Sequence, residues 1–186
     1  IVSVIGQDLT GDLLLEELSK KEIPISDILR LRNIRTTEKM RIVAGNQQVV
    51  RVDWDMENFE IENNEKLFEI ISNKINKVDG IIVSDYLKGV CSEVLIKKVI
   101  DLAKENNVSV YVDPKGTEWE KYRLASLVTP NAKEAESILG KKLVLDNDFE
   151  LAGKTICNSF NIGACLITRG SDGMSYISNN EIFHLK

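Results

Sequence analysis

The chain has 186 residues, of which 43% are hydrophobic, and a formal net charge of −5. This length is sufficient to bury one sizeable core, so one domain is expected. The acidic balance argues against a general nucleic-acid-binding protein, because such binding depends mostly on neutralising phosphates. A single histidine excludes a His-based triad or a His-rich metal site. No stretch is long and apolar enough to span a membrane, so no membrane partner is predicted. The three cysteines are scattered along the chain, which predicts reduced thiols in a cytoplasmic protein.

Strands and helices are predicted to alternate along most of the chain. Short apolar, β-branched runs predict strands at residues 1–5, 80–84, 108–112, 124–128 and 164–168. Helical spacing of apolar residues predicts helices at residues 8–21, 65–78, 92–105, 132–139 and 149–160. The acidic stretch 57–69 is interpreted as a solvated helix start, and a hairpin of residues 174–177 and 181–185 ends the chain. Strands separated by helices of this length predict an α/β fold with a mainly parallel sheet.

Residues 36–54 break this alternation and predict a β-hairpin. Both halves alternate polar and apolar residues, which indicates strands with two different faces. A three-residue loop, Gly45-Asn46-Gln47, keeps Met40 opposite Val52, whereas a two-residue loop mixes the faces. We therefore expect the three-residue loop.

The same register pairs charged residues across the hairpin. Lys39 is predicted to face Asp53, and Arg41 is predicted to face Arg51. Like charges directly opposite each other are destabilising. An anionic ligand between the two arginines explains such a pair. The alternative is that both side chains splay into water, with partial compensation by Asp53.

Polar, turn-forming segments follow several predicted strands. They are Ser84-Asp85-Tyr86-Leu87-Lys88-Gly89, Asp113-Pro114-Lys115-Gly116, Thr129-Pro130-Asn131-Ala132-Lys133-Glu134 and Thr168-Arg169-Gly170-Ser171-Asp172-Gly173. In open α/β sheets ligands bind outside the carboxyl ends of the strands, so these segments predict one site. Each also has a purely structural interpretation. Glycines form turns, and Asn131 with Glu134 forms a capping box.

These segments, in this order, resemble the ribokinase-like (phosphofructokinase B-type) carbohydrate kinases. Further matching strings are Lys39-Met40-Arg41, Asn46-Gln47-Gln48 and Arg51-Val52-Asp53. The string from Val112-Asp113-Pro114-Lys115 to Thr129-Pro130-Asn131 is most similar to the heptose kinases of lipopolysaccharide precursor synthesis. The resemblance covers nearly the whole chain. It implies a ribokinase-like fold in which residues 36–54 are a β lid over the sugar.

The resemblance also implies cofactors and residue roles. It implies ATP- and Mg²⁺-dependent phosphorylation of the anomeric hydroxyl of D-glycero-D-manno-heptose 7-phosphate, towards ADP-heptose. It assigns to the sugar phosphate Lys39, Arg41, Gln48, Arg51, Asp85, Lys88 and Lys115. It assigns to ATP Asn131, Glu134, Thr168, Gly170 and Gly173, with Glu134 reaching Mg²⁺ through water. The segment Gly6-x-Asp8-x-x-Gly11 is expected near the sugar, Lys88 is expected beside Lys115, and Arg169 is expected to meet either a phosphate or Asp172.

Two elements of the resembled family are not found in this sequence. A sugar-binding Gly-Gly segment is expected upstream, and Gly-Ala-Gly-Asp, with the catalytic base aspartate, is expected beyond Lys186. We therefore expect residues 1–186 to be a fragment of a single kinase domain without turnover of its own. It is expected to dimerise through the lid and to expose Val2, Val4 and Ile5. Two alternatives remain open: a ribokinase-like kinase for another sugar phosphate, and a non-catalytic ligand-binding or dimerisation module.

Overall fold

The structure is a computed structural model that describes residues 1–55 and 61–186. The chain forms two compact units, Ile1–Ile71 with Lys88–Val90, and Ser72–Leu87 with Cys91–Lys186. Within the predicted acidic stretch 57–69, residues 57–60 lie outside the described residues. The three cysteines are free thiols, as predicted. Among the described residues, no helix combines the length and the hydropathy needed to cross a membrane.

The first unit contains two small sheets. Its elements, in chain order, are β1 (Ser3–Gly6), α1 (Leu9–Lys20), β2 (Ile28–Leu31), β3 (Glu38–Ala44), β4 (Gln47–Trp54) and the start of α2 (Ile61–Ser72). Strands β1 and β2 pair in parallel, while β3 and β4 form the predicted antiparallel hairpin. The sequence pattern did not predict β2, because a four-residue strand has too little alternation to be distinguished from a loop.

The second unit contains a six-stranded sheet with helices. Its elements are β5 (Gly80–Ser84), α3 (Glu93–Glu105), β6 (Ser109–Asp113), β7 (Leu127–Val128), α4 (Ala132–Leu139), α5 (Asp146–Phe160), β8 (Ala164–Thr168), β9 (Met174–Ser178) and β10 (Ile182–Leu185). The strand order is β10-β9-β8-β7-β6-β5. Strands β5 to β8 are parallel and the last two are antiparallel, so the predicted mainly parallel sheet is confirmed.

The core of the second unit forms where helix faces meet this sheet. Ser92 caps α3 by accepting a hydrogen bond from the backbone N–H of Leu95 at 3.2 Å, as predicted. The apolar face of α3 is buried, and Trp119 and Tyr122 are completely buried beside it. Helix α2 begins and ends earlier than the predicted helix 65–78, because it spans Ile61–Ser72 and a separate 3₁₀ turn covers Ile75–Lys77.

The hairpin has the predicted register but not the predicted loop. Met40 faces Val52 and Ile42 faces Val50, as expected. However, Ala44 pairs with Gln47, so the prediction of a three-residue loop was wrong and the turn has two residues. A β-bulge between the turn and Ile42 reconciles the short loop with the apolar pattern, because it adds one residue to β4.

The N-terminal strand is also less exposed than predicted. Val4 and Ile5 are each only 4% exposed, and Val2 is half-buried. Pairing with β2 along the whole of β1, together with contacts to α1, covers these side chains. The expectation that Val4 and Ile5 are exposed was therefore wrong.

Candidate functional site

Two loops of the second unit meet at the carboxyl edge of the parallel strands. Asn131 lies three residues after β7, and Thr168 is the last residue of the neighbouring strand β8. The two residues form a parallel β-bridge. The N–H of Thr168 donates to the carbonyl of Pro130 at 2.9 Å. The structure thereby brings two of the residues assigned to ATP side by side, with both side chains exposed.

Glu134 links this corner to a third loop. Its N–H donates to Asn131 Oδ1 at 3.0 Å, and its Oε2 accepts from the N–H of Asn131 at 2.9 Å. This is the predicted capping box at the start of α4, which is therefore confirmed. The other oxygen, Oε1, accepts a hydrogen bond from Lys115 Nζ at 2.6 Å. Lys115 thus lies beside Glu134, and their hydrogen bond raises the pKa of the lysine, which keeps its positive charge.

Asp113 adds a second carboxylate to this edge. Burial and then the charge of Glu134 raise the pKa of Asp113, while Lys115 acts in the opposite direction. Carboxylate and amide oxygens are ligands that suit Mg²⁺, which usually keeps several waters and takes substrate phosphates as further ligands. Among the described residues no group of three or more His, Cys, Asp or Glu could hold a metal ion by itself. Asp113 and Glu134 therefore fit a water-mediated Mg²⁺ site better than a closed protein cage.

The glycines after β8 have different surroundings. Gly170 has a φ of 63°, and a Cβ placed there would meet no atom within 4 Å, so its backbone is open to an approaching ligand. Gly173 has a φ of 90°, and a Cβ there would lie 1.9 Å from the carbonyl oxygen of Leu185. Close packing against the terminal strand is sufficient to require glycine at position 173, whether or not ATP is bound.

Arg169 contacts two residues of helix α5. Its Nη1 donates to Asp146 Oδ1 at 2.6 Å, and its guanidinium lies 4.2 Å from the centre of the Phe149 ring. Asp172, one of the two expected partners, is therefore not the ion-pair partner of Arg169, because Asp146 on α5 takes that place. The other expected partner, a phosphate, remains a prediction. Among the described residues its buried Nε has no hydrogen-bond partner.

Asp85, at the end of β5, is buried in a network that the sequence pattern did not indicate. Only 2% of this residue is exposed. Its Oδ1 accepts from the N–H of Leu87 at 2.7 Å, while its Oδ2 accepts from Tyr122 Oη at 2.7 Å and from Lys121 Nζ. Lys121 and Tyr122 were missed because a single lysine and tyrosine in a short segment carry no periodic signal of burial. The role of Asp85 as a sugar contact remains a prediction.

In the first unit, the polar face of the β3–β4 hairpin carries most of the residues assigned to the sugar phosphate. Arg51 faces Arg41, as predicted. Asp53 pairs with Lys39 at 3.6 Å and with Arg51 at 3.1 Å. Within residues 1–55 and 61–186, Arg41 forms no ion pair, so Asp53 compensates only part of this charge. Gln48 is exposed near the turn.

Lys88 also belongs to the first unit. Its ammonium pairs with Asp55, which directly follows the hairpin. Its expected proximity to Lys115 remains a prediction.

The segment Gly6-x-Asp8-x-x-Gly11 forms a closely packed corner of the first unit. Asp8 accepts hydrogen bonds from the N–H of Gly11 at 2.8 Å and from the N–H and hydroxyl of Thr36 at 2.8 and 2.7 Å. Burial alone would raise the pKa of Asp8, but these hydrogen bonds and the charge of Arg35 outweigh it and lower the pKa. A Cβ on Gly6 would lie 2.6 Å from the carbonyl of Ile34.

An open cavity of about 560 Å³ lies beside this corner. Its lining includes Arg32 and Arg35, together with Asn33 and Thr10. The cavity is therefore polar and partly cationic, which is compatible with the expected position near a phosphorylated sugar.

Residues 1–186 match the sequence model of the pfkB family of carbohydrate kinases. The chain belongs to this family. A curated relative, the bifunctional protein HldE of Geobacter sulfurreducens, is 35% identical over 188 residues, which cover 100% of this chain and 38% of the relative. The chain thus spans well under half of the length of this relative.

Solved structures of carbohydrate kinases share the fold. Arabidopsis thaliana ribokinase, complexed with ribose and ATP, has a TM-score of 0.77 at 16% identity, covering 100% of this chain and 60% of the ribokinase. Phosphofructokinase-2 of Escherichia coli, in complex with potassium, has a TM-score of 0.77 at 17% identity and corresponding coverages of 98% and 59%. The predicted ribokinase-like α/β fold is therefore confirmed for this pfkB-family chain.

Proposed function

We propose that the protein containing this chain is an ATP-dependent kinase that phosphorylates the anomeric hydroxyl of D-glycero-D-manno-heptose 7-phosphate. Membership of the pfkB family supports the kinase class. The heptose kinase-like string from Val112 to Asn131 and the similarity to bifunctional protein HldE support the substrate. The observation that carries the proposal is the cluster of Lys115, Asn131, Glu134 and Thr168 at one sheet edge.

Phosphoryl transfer depends mainly on positioning and on stabilising charge on the transferred group, and this cluster supplies suitable groups. Lys115 offers a positive charge to a phosphate, and Thr168 offers a hydroxyl. Gly170 leaves room for close backbone approach. Glu134, together with Asp113 and Asn131, would hold Mg²⁺ through water, and the bound metal would neutralise phosphate charge. Because Lys115 already pairs with Glu134, the lysine and the metal would share one carboxylate.

The charged face of the lid is the proposed site for the phosphate of the sugar. Arg41 and Arg51 lie directly opposite each other, and Asp53 neutralises mainly Arg51 and Lys39. A dianionic phosphate would relieve the remaining repulsion. Gln48 and Lys88 complete the proposed set of sugar-phosphate contacts in the first unit.

The test is a kinase assay of the full-length protein with a panel of sugars. ADP release would be measured with D-glycero-D-manno-heptose 7-phosphate, fructose 6-phosphate and unphosphorylated mannose, and ³¹P NMR would locate the new phosphate. We expect the heptose phosphate to be preferred and to be phosphorylated at the anomeric carbon. Preference for fructose 6-phosphate would favour a different sugar-phosphate kinase. No turnover with any sugar would overturn the kinase proposal.

We also propose that the protein is a homodimer that associates through the lid. The second face of the hairpin is apolar, and Met40, Ile42 and Val50 on it are exposed. Exposed apolar surface of this kind favours association.

Sedimentation of the full-length protein should show a dimer that Ile42→Glu disrupts, whereas Val144→Glu, at an exposed apolar position in the other unit, should not disrupt it. A monomeric wild type, or equal effects of the two variants, would contradict the lid contact. A dimer that binds no nucleotide would favour the assembly module.

A further inference from the structure

A buried polar cluster in the second unit has no role in the proposed chemistry. It consists of the carboxylate of Asp85, the ammonium of Lys121 and the hydroxyl of Tyr122. The Asp85 side chain is 2% exposed and that of Lys121 is 10% exposed, so water does little to screen their charges. Tyr122 lies in the apolar core with no exposed surface.

Stability alone gives a poor explanation of this cluster. A buried ion pair loses the hydration of both charges, and well-packed apolar residues of similar volume are often as stabilising or more so. The more informative property of the cluster is its connectivity. Lys121 Nζ also donates to the carbonyl of Cys91 at 3.3 Å. The same ammonium therefore binds the side chain of Asp85, before residues 86–90, and the backbone of Cys91, after them.

Tyr122 extends these contacts to the loop that carries Lys115. Its hydroxyl donates to Asp85 Oδ2 at 2.7 Å and accepts from the backbone N–H of Lys115 at 3.3 Å. Burial, followed by the hydrogen bond to Asp85, raises the pKa of Tyr122, so the hydroxyl remains a proton donor. Trp119 Nε1 donates to the carbonyl of Gly116 at 2.9 Å, which gives the same loop a second attachment.

We propose that Asp85, Lys121 and Tyr122 form a clamp that positions Lys115 for a ligand phosphate, and that Asp85 is a positioning residue instead of a sugar contact. The Lys115 side chain reaches Glu134 from a backbone held by Tyr122, so displacement of that backbone also displaces the ammonium. This inference rests on the proposed function, because it assumes that Lys115 meets a phosphate.

The test is a double-mutant cycle between Tyr122 and Lys115 in the full-length protein. Calorimetry would measure binding of heptose 7-phosphate and of a non-hydrolysable ATP analogue with Mg²⁺. Tyr122→Phe keeps the buried ring and removes one hydroxyl, so we expect a loss of affinity of about five- to tenfold for the ligand that Lys115 contacts. In the Lys115→Ala background the same substitution should have almost no further effect, because the ammonium is already absent. Tyr111→Phe, on the exposed face of β6, is the matched control and should bind both ligands normally.

Hydrogen exchange provides a second measurement that does not need a ligand. Protection of the backbone amides of residues 115–117 should fall in Tyr122→Phe and remain unchanged in Tyr111→Phe. Equal losses of affinity with and without Lys115, or no loss at all, would overturn the clamp. A wild-type protein that binds neither ligand would overturn the proposed function. In that case reduced protection in Tyr122→Phe would still support the clamp, and unchanged protection would overturn it.

Discussion

At the residue scale, the contacts of Glu134 show that its structural role as a cap does not exclude the proposed chemical role. One carboxylate oxygen closes the capping box with Asn131, and the other accepts from Lys115. The capping interpretation and the ligand-binding hypothesis therefore concern different oxygens of the same side chain. A substitution that keeps the first function and removes the second can separate them.

Glu134→Gln is such a substitution, because glutamine also serves at this position of a capping box. We expect kinase activity of the full-length protein to fall and its Mg²⁺ dependence to shift to higher concentration, because the negative charge is lost. The melting temperature should change little, since the Lys115 side chain is half exposed and a solvent-accessible ion pair contributes only about 0–1 kcal/mol. Glu105→Gln, at the end of α3, is the control. A sharp fall in melting temperature with an unchanged Mg²⁺ dependence would show that Glu134 is only a cap.

A substitution of Arg51 tests the proposed contact between this residue and the sugar phosphate. Arg51→Ala should weaken sugar-phosphate binding by about 1.5–3 kcal/mol, the usual contribution of a charge-assisted hydrogen bond, and should leave ATP binding nearly unchanged. Calorimetry with each ligand measures both effects. Arg123→Ala, which removes an exposed arginine from the second unit, controls for the change in net charge. Equal losses for sugar phosphate and ATP would rule out the assignment.

At the element scale, the sequence predicted side-chain periodicity better than it predicted where elements begin and end. The alternation in residues 36–54 predicted the hairpin register, but a β-bulge accommodates a shorter turn that the alternation cannot reveal. Helix α5 begins at Asp146, three positions before its predicted start at Phe149. Asp148 explains the earlier start, because its carboxylate accepts from the N–H groups of Val144 and Leu145 at 3.2 and 3.0 Å.

Asp148 therefore predicts a pH-dependent contribution of the α5 start to stability. The hydrogen bond from Lys141 and those from Leu145 and Val144 lower the pKa of Asp148 from 3.8 to about 2. A lowered pKa gives stability that is fully present above pH 3.8 and is lost as the pH falls towards 2. Asp148→Asn should thus melt below the wild type at pH 7, and the difference should shrink below pH 3.8.

Thermal melts over this pH range would measure the effect. Asp101→Asn, an exposed position on α3, is the control and should follow the wild type at every pH. A difference between Asp148→Asn and the wild type that is the same at pH 7 and at low pH would show that the charge of Asp148 is not responsible.

At the scale of the whole molecule, local patterns predicted the α/β class, the parallel strands and the loops at their carboxyl ends. They could not predict contacts between distant residues. Asp85 and Lys121 are 36 positions apart, and Arg169 reaches Asp146 across 23. Neither pair leaves a periodic or spacing signal, so the sequence predicted neither Lys121 as a partner of Asp85 nor Asp146 as a partner of Arg169. The candidate site was predictable as a set of loops, whereas the internal contacts that hold these loops required the structure.

The distant pair Asp85–Lys121 makes a last prediction about folding. Lys121→Met leaves the buried carboxylate of Asp85 without its charge partner, which should lower the free energy of unfolding by about 3–5 kcal/mol. Adding Asp85→Asn removes the unpaired charge and leaves an amide whose oxygen can still accept from the N–H of Leu87 and whose NH₂ group can donate to the Tyr122 hydroxyl, so the double variant should recover most of the loss. Chemical denaturation followed by fluorescence of the buried Trp119, in a background that lacks Trp54, would measure both variants. A Lys121→Met protein as stable as the wild type would mean that water or another cation reaches Asp85, and the description of a closed, buried pair would have to be abandoned.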